Sequence, residues 1–321
     1  MRLRPPVCAI LVAFLAALSC PTALGQFQTD AGPEGGIKLG ESKTQRWRCG
    51  LSVEAVGGPC QGIVGYVPFP VEWPEQELKI VDEENSPQAK VSYENVEDAK
   101  LMVVRIANLA AGQTATATVT FEIRRSTILP PDATSHFKIP EQRKLDRRVL
   151  PYLGPSPLIE SRDPKIRTLA KQIPADKEAA WEKVEAIYDW VREEVEYKNG
   201  PIKGALAALR DGNGDCEELT SLFIAICRAA GIPARTVWVP EHCYPEFYLI
   251  DDKGEGHWFP CQAAGSREFG GILETRPILQ KGDNFRPPWN RKDQQRYLAE
   301  HLVGAGGRPK VKFIRDLLGE E

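Results

Sequence analysis

The hydrophobic period of the chain changes at Ile128-Leu129-Pro130-Pro131, and this switch limits the folds open to it. Before the switch, Ala115, Ala117, Val119, Phe121 and Ile123 alternate with Thr114, Thr116, Thr118 and Thr120, the pattern of a half-buried strand with a threonine outer face. Shorter strand-like runs at 62–67, 77–81, 90–93 and 101–107 are separated by Pro, Asn, Asp and Gly, so residues 44–127 read as a small β-sandwich. After the switch, Trp181, Val184, Ile187, Tyr188, Val191 and Val195 follow helical spacing, with Asp176 as the expected cap. Strands first and helices afterwards, within 321 residues, predict an α+β chain. Its parts are the β-domain, a mixed domain over 128–290, and a tail over 291–321 in which 291–302 reads as a helix.

Arg2 and Arg4, an apolar run over 7–18 and the small-residue exit Ala23-Leu24-Gly25 make residues 1–25 a secretory signal peptide. The run is too short to span a bilayer. Residues 26–43, rich in Gly, Asp, Glu, Ser and Lys, read as a flexible linker. The expectation is an exported protein, periplasmic or extracellular, with no integral membrane segment after cleavage. A net charge of -3 without a basic stripe argues against a nucleic-acid partner. Export permits disulfides, and Cys49 and Cys60, which bracket a Gly-rich turn, are a candidate pair.

Residues 211–235 read DGNGDCEELTSLFIAICRAAGIPAR. Asp215 followed three residues later by Glu218 is a capping box, so Cys216 becomes the first residue of a helix whose buried stripe is Leu219, Leu222, Phe223, Ile226 and Ala230. A thiol there meets the positive end of the helix dipole, which favours thiolate and so makes a nucleophile. Cys227 falls on the buried stripe and reads as core. Asp211, Asn213 and Asp215 imitate the start of a calcium loop, but Cys216 and Leu222 stand where that loop needs Gly and Glu. A thiolate in acyl transfer works with an imidazole. Of the four histidines, His136 and His301 lie in polar surroundings, whereas His242 opens the strand HCYPEFYLI in an apparent hairpin with HWFPCQ at 257–262.

Gly214-Asp215-Cys216, the run LFIAICRAAGIPAR, His242 followed by Tyr244 and Glu246, and Trp258-Phe259-Pro260 together resemble the core of the transglutaminase-like superfamily, over residues 155–262. The resemblance implies a papain-like fold, Cys216 as nucleophile and His242 as general base and acid. In that family an Asp follows the W-x-P strand as third member, and Gln262 stands at its place here. An amide oxygen can accept from the imidazole Nδ1–H and orient the ring, but it lacks the charge that stabilises imidazolium. Glu246 is too far along the strand to substitute. If His242 faces Gln262 across the hairpin, Cys243 faces Cys261, which predicts a second disulfide there. A zinc site from Cys216, His242, Cys243 and Cys261 is disfavoured, because adjacent strand residues point to opposite faces. No Gly-rich phosphate loop follows a strand, so no organic cofactor is expected.

The leading expectation is an exported cysteine enzyme acting on amide bonds of a protein or peptide through a thioester, as peptidase, amidase or crosslinking enzyme. The alternative is a catalytically inactive transglutaminase-like binding module of the cell envelope, motivated by Gln262.

Overall fold

The computed structural model describes residues 37–320, so the expected signal peptide and the first part of the linker lie outside the described residues. Five strands come first: β1 (Lys38–Phe69), β2 (Gln76–Asn85), β3 (Ala89–Val96), β4 (Ala99–Leu109) and β5 (Thr114–Leu129). Helices α1 (Pro164–Gln172), α2 (Ala180–Glu194), α3 (Ala205–Asp211) and α4 (Cys216–Ala229) follow, with the two-residue strands β6 (Glu196–Tyr197) and β7 (Asn213–Gly214) paired between them. The chain ends in β8 (Ala234–Val239), β9 (His242–Ile250), β10 (Gly256–Pro260), β11 (Gln280–Lys281) and β12 (His301–Glu320).

The β-domain is one antiparallel sheet rather than the sandwich of two sheets expected from the sequence. Its order is β2-β5-β1-β4-β3, with β12 on the other edge of β1. The first half of β1 pairs with β5 and its second half with β4, so the chain segments run as long ribbons bent across their middle. The bend falls where glycines meet: Gly57 and Gly306 have φ of 80° and 93°, and a Cβ on Gly307 would lie 2.3 Å from the Gly58 carbonyl oxygen. Only glycine takes these conformations and this approach without strain. The two limbs close on a shared core in which Phe69 and Phe121 meet edge to face at 5.5 Å.

The tail corrects the sequence expectation. Residues 291–302 do not form a helix, and 301–320 is a strand of the β-domain. The backbone of Leu298 is bonded in both directions by the Gln280 side chain, and Phe285 and Gln295 exchange backbone bonds, so helical i→i−4 bonds are replaced by tertiary ones. Beyond them, Val311 and Phe313 pack on the β-core along the free edge of β1. Residues 38–43 of the expected linker belong to β1 for the same reason, pairing with β5. Helix α2 is capped at Ala179 rather than Asp176, whose carboxylate is held by Lys177 at 2.9 Å. Cys49 and Cys60 are free thiols in the two limbs of β1, paired with Val119 and Leu109 respectively, because the segment between them is bent strand and not a tight loop.

In the second half, α4 lies between α2 and the sheet β10-β9-β8-β11. Leu222, Phe223 and Ile226 of α4 pack between Trp181, Val184 and Tyr188 of α2 and Phe247 and Phe259 of the sheet. This core aims the N-terminus of α4 at the start of β9. Among the described residues no helix is long and apolar enough to cross a membrane.

Candidate active site

Cys216 is the first residue of α4, as the capping box requires. Asp215 accepts from the Glu217 N–H at 2.8 Å, and the buried Glu218 carboxylate accepts from the N–H groups of Asp215 at 3.2 Å and Lys203 at 2.8 Å. Glu218 therefore ties the helix start to the loop before α3. Gly214 makes room for it, since a Cβ there would lie 2.3 Å from the Glu218 Cβ. Gly214→Ala should displace Glu218 and cost about 0.5–2 kcal/mol, the range of a lost N-cap. Urea unfolding at neutral pH measures this, and an unchanged midpoint would show that the cap does not depend on Gly214.

His242 opens β9 beside Cys216, and its Nε2 lies 2.9 Å from Gln262 Oε1. The orienting bond thus uses Nε2, where the sequence reading placed Nδ1, and leaves Nδ1 as the nitrogen available to the thiol. The register also differs from the expected one. Trp258 pairs with Tyr248 and Pro260 with Glu246, which sets Cys261 beside Pro245 and Gln262 diagonally from His242. Cys243 and Cys261 are therefore not opposite, and both are free thiols. Gln262 is held by its backbone: its carbonyl accepts from Tyr188 Oη at 2.8 Å and Arg192 Nη1 at 2.9 Å, and its N–H donates to Glu268 O at 2.8 Å. Glu246 is fully buried with Lys281 and Arg235, at 2.6 and 2.9 Å, and has no contact with the imidazole.

The surroundings separate Cys216 from the other cysteines. Its thiol is pulled down to about 4, chiefly by a hydrogen bond from the Cys243 thiol, against the desolvation of partial burial and with further help from His242. Burial works against a charged His242, yet the Cys216 sulfur and Gln262 outweigh it and hold the imidazole above the ordinary histidine value. Burial pushes Cys49 up to about 12 and raises Cys227, Cys243 and Cys261 well above the usual thiol range. The arrangement favours a thiolate beside an imidazolium.

Cys216 and His242 open on a cleft of about 390 Å³ that also takes in Tyr197, Trp238 and Tyr297. Arg296 pairs with Glu217 and sits 5.1 Å above the Trp238 ring. Sequence reasoning missed Arg296 and Tyr297, because the segment that carries them read as a tail helix and is instead an irregular stretch placed by Gln280 and Phe285. It also set Cys243 opposite Cys261, since the hairpin register that separates them is not legible from spacing.

The transglutaminase-like superfamily model matches residues 167–263. No curated protein matches the chain in sequence. Among solved structures, a candidate cysteine protease from Cytophaga hutchinsonii is similar at 18% identity and a TM-score of 0.58, over 88% of this chain and 93% of that one. The periplasmic domain of TgpA from Pseudomonas aeruginosa is 14% identical, with 67% of this chain and 87% of that one covered and a TM-score of 0.33. With α4, β8, β9 and β10 all inside the matched segment, residues 167–263 form a transglutaminase-like superfamily core.

Proposed function

We propose that the protein is an exported cysteine-dependent acyltransferase or peptidase that opens amide bonds of a protein or peptide through a thioester on Cys216. The observation that carries this reading is the meeting of Cys216 at a helix N-terminus with His242, itself oriented by Gln262. The Cys216 thiolate attacks the amide carbonyl, and the N–H groups of the first turn of α4 face the developing oxyanion. His242 gives its proton to the leaving amine as the C–N bond breaks. Water or an amine then attacks the thioester, with His242 taking the proton, and Cys216 leaves as thiolate. Export rests on residues 1–25.

The working state needs Cys216 deprotonated and His242 protonated. Activity should therefore rise through about pH 4 and fall as the pH passes the raised value of His242. Iodoacetamide at pH 5 tests the reading: Cys216 should be alkylated selectively, while the buried thiols stay unmodified. If Cys216 reacts no faster than a free model thiol, the inactive binding module becomes the better reading.

A further inference from the structure

Gln262 meets His242 through a single hydrogen bond of 2.9 Å, made by an amide at the end of a long, freely rotating side chain. The amide oxygen is therefore only as fixed as the backbone that carries it. That backbone belongs to the loop 262–265, in which Ala263 and Ala264 are buried in the helix–sheet core and Gly265 turns the chain with φ of 100°. Carbonyl groups of such a loop have no ladder of their own and need partners within the protein.

Arg192, in the last turn of α2, supplies them. Its Nη1 donates to the carbonyl oxygens of Gln262 at 2.9 Å and Ala263 at 3.2 Å, and its Nη2 donates to that of Gly265 at 2.8 Å. A planar guanidinium spans three carbonyls in this way, whereas an ammonium is a point donor. The acids one and two turns earlier on α2 do not draw the charge away, because Asp189 and Glu185 hold Arg267, at 2.9 and 2.7 Å. Tyr188 completes the contact. Its ring centroid lies 5.4 Å from the Arg192 guanidinium carbon, and its Oη donates to the Gln262 carbonyl at 2.8 Å. Among the described residues every side-chain hydrogen bond of Arg192 goes to this loop, and none goes to Cys216 or His242.

We propose that Arg192 is a positioning residue for the acyl transfer, which holds the loop 262–265 against α2 and so fixes the Gln262 amide where it orients His242. The inference rests on the thiol–imidazole reading above and deepens it. Arg192 acts through Gln262, and two consequences follow from that route. Its loss costs no more than the loss of the Gln262 side chain itself, and it costs nothing further once that side chain is gone. The hydrogen bond to Gln262 also favours the charged imidazole. A loosened Gln262 therefore lets His242 give up its proton at lower pH, and the alkaline fall in activity moves down with it.

The test is a double-mutant cycle on turnover of a peptide p-nitroanilide, with the rate of Cys216 alkylation by iodoacetamide followed over the same pH range as a readout independent of substrate. Arg192→Met keeps an apolar stem over Tyr188 and removes the fork. It should lower kcat by about three- to tenfold, within the range set by one neutral hydrogen bond, with KM nearly unchanged and the alkaline limb of both profiles shifted to lower pH. Arg192→Lys, which keeps the charge without the fork, should fall between Arg192→Met and wild type. Arg192→Met combined with Gln262→Ala should match Gln262→Ala alone. Wild-type kcat and pH profile in Arg192→Met overturn the proposal, and so does a full further loss when it is added to Gln262→Ala, which is what a merely structural role would give. Where Arg192→Met does not fold, Arg192→Lys is read in the same cycle with the same criteria. If Cys216 of the wild type reacts no faster than a free model thiol at pH 5, the thiol–imidazole reading itself fails. If Cys216 is reactive there but the cycle is additive, only the role of Arg192 fails.

Discussion

His242→Ala should lower turnover of a peptide p-nitroanilide by about 10²–10⁴-fold, the usual contribution of a positioned general acid and base. Two effects add in the same direction. The leaving amine loses its proton donor, and Cys216 loses one of the groups that hold its thiol near 4. The Cys243 hydrogen bond remains, so alkylation of Cys216 at pH 5 should fall less than turnover does. Gln262→Ala is the informative companion. It removes a neutral hydrogen bond of 2.9 Å, worth about 0.5–1.5 kcal/mol, and so at most about tenfold in rate. The Gln262 backbone stays anchored by Tyr188 and Arg192, which keeps the loop in place in that variant. Equal losses in the two variants would show that His242 acts through position alone. A His242→Ala variant with wild-type turnover would end the thiol–imidazole reading.

Lys281→Met should destabilise the fold by about 3–5 kcal/mol, the cost of leaving buried charges without their partner. Lys281 is 3% exposed and donates to Glu75 of the β-domain and Glu246 of β9, each at 2.6 Å. Its loss strands two buried carboxylates, of which only Glu246 keeps another cation, Arg235. Urea unfolding of both proteins at neutral pH measures the difference, and a loss below about 1 kcal/mol would show that the buried ions are compensated elsewhere. The pH dependence has a definite sign. Burial acts to raise the Glu246 carboxyl, but Lys281 and Arg235 together bring it below the ordinary carboxylate value. A carboxylate depressed in the folded state contributes stability that is complete above its unfolded value and lost as pH falls through the folded one. The wild type should therefore lose this contribution on acidification below about pH 4. In Lys281→Met the Glu246 carboxylate has lost one of the two cations that hold it charged, so the gap between the two proteins should narrow as the pH falls.

Glu246 also marks the division between what was and was not legible in the chain. Its distance from His242 follows from strand geometry alone, but that it answers to Lys281, 35 residues away, depends on β11 lying beside β8. Cys216 at the head of α4 was legible because capping and helical period are local properties, written in Asp215, Glu218 and the apolar stripe. The strand over 114–120 was legible for the same reason, and β5 is that strand, although Thr118 and Thr120 of its expected outer face are buried. The tail was not. Gly304, Gly306 and Gly307 lie in strand because the open edge of β1 supplies the hydrogen bonds and the bend at Gly57 and Gly58 needs neighbours without a Cβ. Hairpin register was equally hidden, since a shift that preserves which face each residue takes leaves the alternation of side chains unchanged. By itself, then, the sequence determined the α+β order and the place of Cys216 at a helix head, because period, capping and spacing act within a few residues. Tertiary structure alone decided that β12 completes the first sheet, that Arg296 overhangs the cleft, and that Cys261 sits beside Pro245 and not opposite Cys243. These depend on long-range pairing, which is set by which edges and cores remain to be covered once the local elements have formed.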